Sequence, residues 1–229
     1  MAQERKLGLG ARLVGEMTVI FLSVVLALAA DDWREGRAER AEARQSLEVI
    51  LTDLRRDSVR VRNYARLIEP RGEAARDLLD AWDRTNQHPD TLDRRFHMAL
   101  SGPRGAALHR AGFEGLIGSN GLRLVDDPAL RARLLDYYQS EQPSFVEFAG
   151  AAEDLRLQAR RRLAPYAEWP SDTNLRLTSP WREIAGDDLL RYDLVWSVRM
   201  REGLLTVRVP QIQERIDELI RVVADEVGS

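Results

Sequence analysis

Residues Leu13 to Ala30 form an 18-residue apolar run, broken by Glu16 near its start and by Thr18 and Ser23. No other stretch restricts the possible folds as strongly. Wound as an α-helix it would be ~27 Å long, close to the thickness of a hydrocarbon core. Leu13, Ile20, Phe21, Val24, Val25 and Leu28 are its expected lipid-facing side chains. The tail before it carries Arg5, Lys6 and Arg12, and Asp31-Asp32-Trp33-Arg34 closes it. Trp33 stands where an interfacial aromatic belongs. Glu16 lies within one turn of Arg12, at a helix N-terminal end where a carboxylate is tolerated. A proton site or a partner contact is the sharper reading of that carboxylate.

Three readings of the run compete. A cleaved signal peptide would show a basic start, an apolar core and Ala27-Leu28-Ala29 near its end. A buried helix of a soluble domain would need apolar neighbours all round. The third is an uncleaved signal anchor. The chain keeps its tail from Met1 onward, and the anchor is the expectation. Residues 1–12 are then a short cytoplasmic tail, 13–30 a transmembrane helix, 31–69 a stalk helix and 70–229 a helical bundle domain. Basic residues flank the run almost equally. A short basic tail before a first span stays inside, so the bulk is expected in the periplasm, on a bacterial inner membrane.

The segment after the run is helical by pattern. No proline occurs between Arg12 and Glu69. Leu47, Leu51, Leu54, Val61, Ala65 and Ile68 recur at three-, four- or seven-residue spacing. Opposite charges between Arg34 and Arg44 can pair along the helix. Pro70-Arg71-Gly72 is the expected stop. Shorter helices follow over 73–84, 90–100 and from Pro128, where Asp127 is an N-cap and the proline takes the first helical position. Ser144-Phe145-Val146-Glu147 reads as a capping box opening a helix to Leu163. Residues 164–180 hold Pro165, Pro170 and Pro180 and read as a long loop. Ser179-Pro180 opens another helix. The last, from Pro210 to Val227, has Ile212, Ile216, Leu219, Val223 and Val227 at heptad-like spacing, suited to the stalk or to a second copy. Thr206-Val207-Arg208-Val209 is a weak strand signal. The fold class is all-α: one N-terminal transmembrane helix continuing into a long stalk helix and an antiparallel helical bundle.

Composition narrows the chemistry. Lys and Arg number 34 against 37 Asp and Glu, a net charge of -3 that gives no electrostatic reason to expect nucleic acid. With 44% hydrophobic and 31% charged residues, the chain is neither disordered nor polytopic. There is no cysteine, which excludes disulfides, thiolate metal sites and a thiol nucleophile. The three histidines, His88, His97 and His109, form no pair at helical metal-ligand spacing. No phosphate-cradling loop, dinucleotide fingerprint or nucleophile elbow is present. No cofactor, metal or catalytic residue is therefore assigned. Asp126-Asp127 and Asp187-Asp188 sit where helices begin, so capping explains them better than catalysis. A hydrolase using Asp126 and Glu114 is the weakest of the readings.

One segment stands out, from His109 to Gln139. It comprises a short helix, the glycine turn Gly118-Ser119-Asn120-Gly121, Leu122-Arg123-Leu124-Val125, a capped start and the pair Tyr137-Tyr138. The glycines of the turn can take positive φ. Phe113, Asn120, Gly121, Leu124, Tyr137 and Tyr138 are its candidate interaction residues.

Two blocks together resemble a family of uncharacterised bacterial single-pass proteins. The first is Gly15-Glu16-Met17, the apolar run and Asp31-Asp32-Trp33-Arg34-Glu35. The second leads from Phe113-Glu114-Gly115-Leu116 through Ser119-Asn120-Gly121 to Leu124-Val125-Asp126-Asp127-Pro128-Ala129-Leu130 and Asp136-Tyr137-Tyr138. That family has no assigned activity, so the resemblance implies topology and not function, and it strengthens a role for Glu16.

The function expected is non-enzymatic. The chain reads as a membrane-anchored accessory or scaffolding subunit of a larger inner-membrane complex, respiratory or photosynthetic for example. Its partners would be other subunits of that complex and the lipid bilayer, with self-association possible through the stalk and the C-terminal helix. The alternative is a periplasmic sensor or small-ligand-binding module.

Overall fold

The computed structural model describes residues 2–84, 88–103, 105–171 and 174–228, and of residues 2–16 and 18–20 the backbone alone. Helix α1 runs unbroken over Ala2–Asp80, 79 residues and ~119 Å. The expected stop at Pro70 does not occur. Proline removes one N–H and pushes the carbonyl of the preceding turn aside. The carbonyl left without its helical donor is that of Arg66; Arg71 donates from Nη1 to the next one, that of Leu67, and the helix carries on to Asp80.

Around α1 are packed α2 (Pro89–Leu100), α3 (Ala111–Gly118), α4 (Pro128–Asp136), α5 (Gln142–Leu163), α6 (Trp181–Ala185), α7 (Asp188–Gly203) and α8 (Val209–Gly228). A single π-helical turn, Tyr137–Glu141, joins α4 to α5 without a break. A second, Leu204–Arg208, joins α7 to α8 and absorbs the residues with strand-like alternation. The capping-box expectation at Ser144 fails for this reason: the helix is already running there. The caps at Asp127 and Asp187 hold. Asp127 Oδ1 accepts from the Ala129 amide at 2.7 Å, and Asp187 Oδ1 accepts from Leu190 at 2.9 Å.

Residues 164–180 are not a plain loop. Strands β1 (Ala167–Ser171) and β2 (Asn174–Leu177) form an antiparallel hairpin, Ala167 facing Leu177 and Ser171 facing Asn174. Pro170 falls where the register shifts, so its missing N–H is not needed by the ladder. The Leu177 amide donates to Asp93 Oδ1 at 3.0 Å, tying the hairpin to α2.

Two apolar cores lie in series along α1. The first gathers Leu47, Ile50, Leu54, Val61 and Ile68 of α1 against Phe113, Leu134, Tyr138 and Phe145. The α8 stripe Ile212, Ile216, Leu219 and Val223 packs into the same core, so the apolar face of the C-terminal helix is covered by α1 of its own chain. The second gathers Leu78 and Trp82 against Phe96, Leu163, Ile184, Leu190 and Leu194. Much of the expected stalk is therefore core.

Among the described residues, no helix is long and apolar enough to cross a membrane. This overturns the expected single transmembrane helix. The side chains of Leu13, Glu16 and Ile20 lie outside the described residues. The apolar stretch whose side chains are described, Phe21 to Ala30, is ten residues. It spans ~15 Å, half of a hydrocarbon core, before Asp31-Asp32 ends it. The all-α character of the chain is as expected, with the small hairpin as its one departure among the described residues.

Candidate functional site

The segment from His109 onward is anchored on α1 by two buried carboxylates. Asp53 and Asp57 stand one turn apart, 5 % and 0 % exposed. Asp57 accepts from the His109 main-chain N–H at 2.9 Å, and its Oδ1 lies 2.6 Å from His109 Nδ1. Asp53 Oδ2 accepts from the Gly112 amide at 3.3 Å. Together they meet main-chain donors at the start of α3, which has no side-chain cap of its own. Gln142 completes the frame by donating to the His109 carbonyl at 2.9 Å.

Burial raises the Asp57 pKa above its ordinary 3.8, and the bonds from His109 pull it back only in part. A carboxyl with a higher pKa folded than unfolded holds its proton more tightly in the folded state. Stability therefore falls as pH rises from about 3.8 through the raised value, and the full loss persists above it. Asp57→Asn should remove this slope. It should also cost about 2 kcal/mol at neutral pH, because an amide cannot accept from all of the donors at His109. Chemical denaturation across pH checks both: the gap between the two proteins should widen on acidification. A gap that narrows would mean that Asp57 titrates lower in the folded chain, not higher.

The His109 side chain is 27 % exposed. It lines an open groove of ≈ 700 Å³ with Thr52, Arg55, Arg56, Arg60 and Asn63. Arg60 donates to the Ala107 carbonyl at 2.9 Å. An imidazole oriented by a buried carboxylate can relay a proton, and three guanidiniums beside it suit an acidic group. The hydroxyl in the groove is committed elsewhere, since Thr52 Oγ1 donates to the Glu48 carbonyl at 3.0 Å. The arrangement is a basic recognition surface on a firmly docked turn.

A second cleft, ≈ 640 Å³, is lined by residues of both π-turns. Ser140 and Glu141 come from one and Arg208 from the other. Three of its charges are engaged with one another: Arg215 Nε donates to Glu141 at 2.8 Å and Nη1 to Glu218 at 3.0 Å. These bonds hold the Arg215 pKa above its usual value. Among the described residues no group of three or more His, Asp or Glu is placed to hold a metal.

Four of the six candidate interaction residues, Phe113, Gly121, Tyr137 and Tyr138, are buried. Phe113 and Tyr138 stack face to face, centroids 4.5 Å apart, and Tyr137 meets Tyr138 edge-on at 4.8 Å. Burial raises the pKa of both tyrosines strongly. Gly121 is buried too, because a Cβ there would lie 3.0 Å from Leu116 Cδ1 and 3.2 Å from Ala43 Cβ. The left-handed residue of the turn is Asn120, φ 55°, rather than a glycine. Asn120 is exposed and Leu124 half-buried. Phe21, Val24, Val25, Leu28 and Trp33 are all exposed on α1, and Arg37 lies over the Trp33 ring at 5.3 Å.

Sequence reasoning missed Asp53 and Asp57. The available signal was a gap in the α1 stripe: between Leu54 and Val61 the core-facing positions hold Asp57 and Ser58 instead of apolar residues. The chain matches no protein-family model, no curated protein and no solved structure.

Proposed function

We propose that the protein is a non-enzymatic accessory or scaffolding subunit that acts through protein contacts, within an assembly at the bacterial inner membrane. One observation carries this reading. Phe21 to Ala30, apolar but for Ser23, is exposed on every side of α1, with Phe21 at 68 % and Leu28 at 60 %. Among the described residues, burial on α1 begins at Ala43. A helix segment apolar all round needs apolar company on all sides. Ser23, Ala27, Ala29 and Ala30 are small enough to let neighbouring helices approach closely. The occupant that fits is a set of partner helices. The basic groove at His109 adds a second contact, complementary to an acidic segment of the same assembly.

A photo-crosslinking residue at Val24 or Leu28 of the full chain, activated in native cells, tests it. Discrete protein adducts are expected there and not at exposed Glu147. Adducts to lipid alone, or to a second copy alone, would defeat the proposal.

A further inference from the structure

The layer between the two apolar cores is charged. Arg71 of α1, Arg156 of α5 and Arg201 of α7 converge there, and Glu153 is the one carboxylate lining the space between them. Arg156 is 5 % exposed and Arg201 4 %. Glu153 is occupied by Arg156, whose Nε donates to Oε2 at 2.8 Å with a second bond from Nη2 to Oε1. The other bonds go to main-chain carbonyls. Arg201 donates to the carbonyls of Arg71 at 3.1 Å and Ala99 at 2.8 Å, and Arg156 to that of Leu100. Ala99 and Leu100 end α2, so the negative end of that helix offsets about half a charge.

Three cations against one carboxylate and a helix end leave a positive surplus in a layer where Arg156 and Arg201 are buried and Arg71 is partly so. A buried charge without a counter-charge is costly. Burial and the neighbouring Arg156 push Arg201 down to about 10 and lower Arg71 as well. Arg71 Nε is buried and meets no acceptor among the described residues. The guanidiniums border a cavity of ≈ 20 Å³, room for one water-sized body.

We propose that this cavity binds a single halide-sized anion, chloride under cellular conditions, held by N–H groups of Arg71, Arg156 and Arg201. Charge excludes a cation. Size excludes phosphate and sulfate, whose tetrahedra need more room. A water molecule would fill the volume but leave the surplus in place.

Thermal unfolding of the full chain at constant ionic strength, with chloride replacing gluconate, is the test. Gluconate is too large to enter. The melting temperature should climb saturably, by about 3–6 °C once chloride exceeds its dissociation constant about tenfold, and bromide should act alike. Chloride NMR linewidths should broaden on adding protein, and Arg71→Gln should abolish both responses. Glu153→Gln removes the competing carboxylate, so its melting temperature should depend on chloride more steeply than that of the native chain. If Glu153 were only a structural strut, that variant would lose the same stability in either salt. Equal melting temperatures in chloride and gluconate, with unbroadened chloride lines, would overturn the proposal.

Discussion

Trp82→Ala should destabilise the protein by about 4 kcal/mol, read as a lowered urea midpoint. Trp82 is 2 % exposed and sits in the turn that follows α1. Its ring meets Trp181 edge-on at 5.2 Å and Phe96 at 6.5 Å. Its Nε1 donates to the Ala185 carbonyl at 3.0 Å, pinning α6 to the end of α1. Alanine removes the largest fully buried side chain of the second core and leaves a cavity its rigid neighbours cannot close. It also leaves that carbonyl without its donor. Trp82→Phe keeps an aromatic body without the N–H and should lose about half as much. A loss below about 1 kcal/mol for the alanine variant would show that the second core is not organised around this ring.

Gly112→Ala should lower stability by about 3 kcal/mol, against the sign of helix propensity. Alanine is the better helix former by about 1 kcal/mol, and Gly112 lies within α3. The close approach of α3 to α1 decides the matter. A Cβ at 112 would stand 2.6 Å from the Ile50 amide nitrogen and 2.9 Å from its Cγ1. Ile50 is inside a continuous helix and its backbone cannot give way. α3 would have to lift, which loosens the bond from the Gly112 amide to Asp53 and the stack of Phe113 on Tyr138. Gly118, with nothing within 4 Å of its Cβ position, is the control: Gly118→Ala should change stability by less than about 1 kcal/mol. Equal thermal midpoints for Gly112→Ala and the native chain would place α3 further from α1 than described.

The parts of the fold that follow helical periodicity were legible in the sequence. The stripe Ile212, Ile216, Leu219 and Val223 predicts a helix and a buried face, and both are present. Asp127 and Asp187 predict helix starts because a short carboxylate before an apolar pattern has few other uses. What could not be read depends on contacts distant along the chain. Pro70 looks like a terminator, yet α1 runs through it to Asp80 because the flanking turns are packed into both cores. The π-turns at Tyr137–Glu141 and Leu204–Arg208 each insert a residue and shift the helical phase with no proline inside them to mark the place. The hairpin at 167–177 carries a proline that reads as loop until its register is known. Asp57, Arg156 and Arg201 look like solvated charges, and only the packing of α3 and α2 against them puts them inside. The apolar run is the opposite case. Its composition suggested a span, whereas its described portion is too short for one.

Helix α1 passes through both cores and projects beyond them in one piece. It behaves as a lever clamped from Ala43 onward and steadied one turn further out by the Glu39–Arg123 ion pair, with Phe21 on an arm reaching ~33 Å beyond Ala43. A rotation of about 5° at the clamp would swing Phe21 through ~3 Å, more than a packed helix contact tolerates. Whatever grips that arm thus fixes the heading of the whole body, with no loop between them to take up slack. Reorienting the body would require the grip itself to let go.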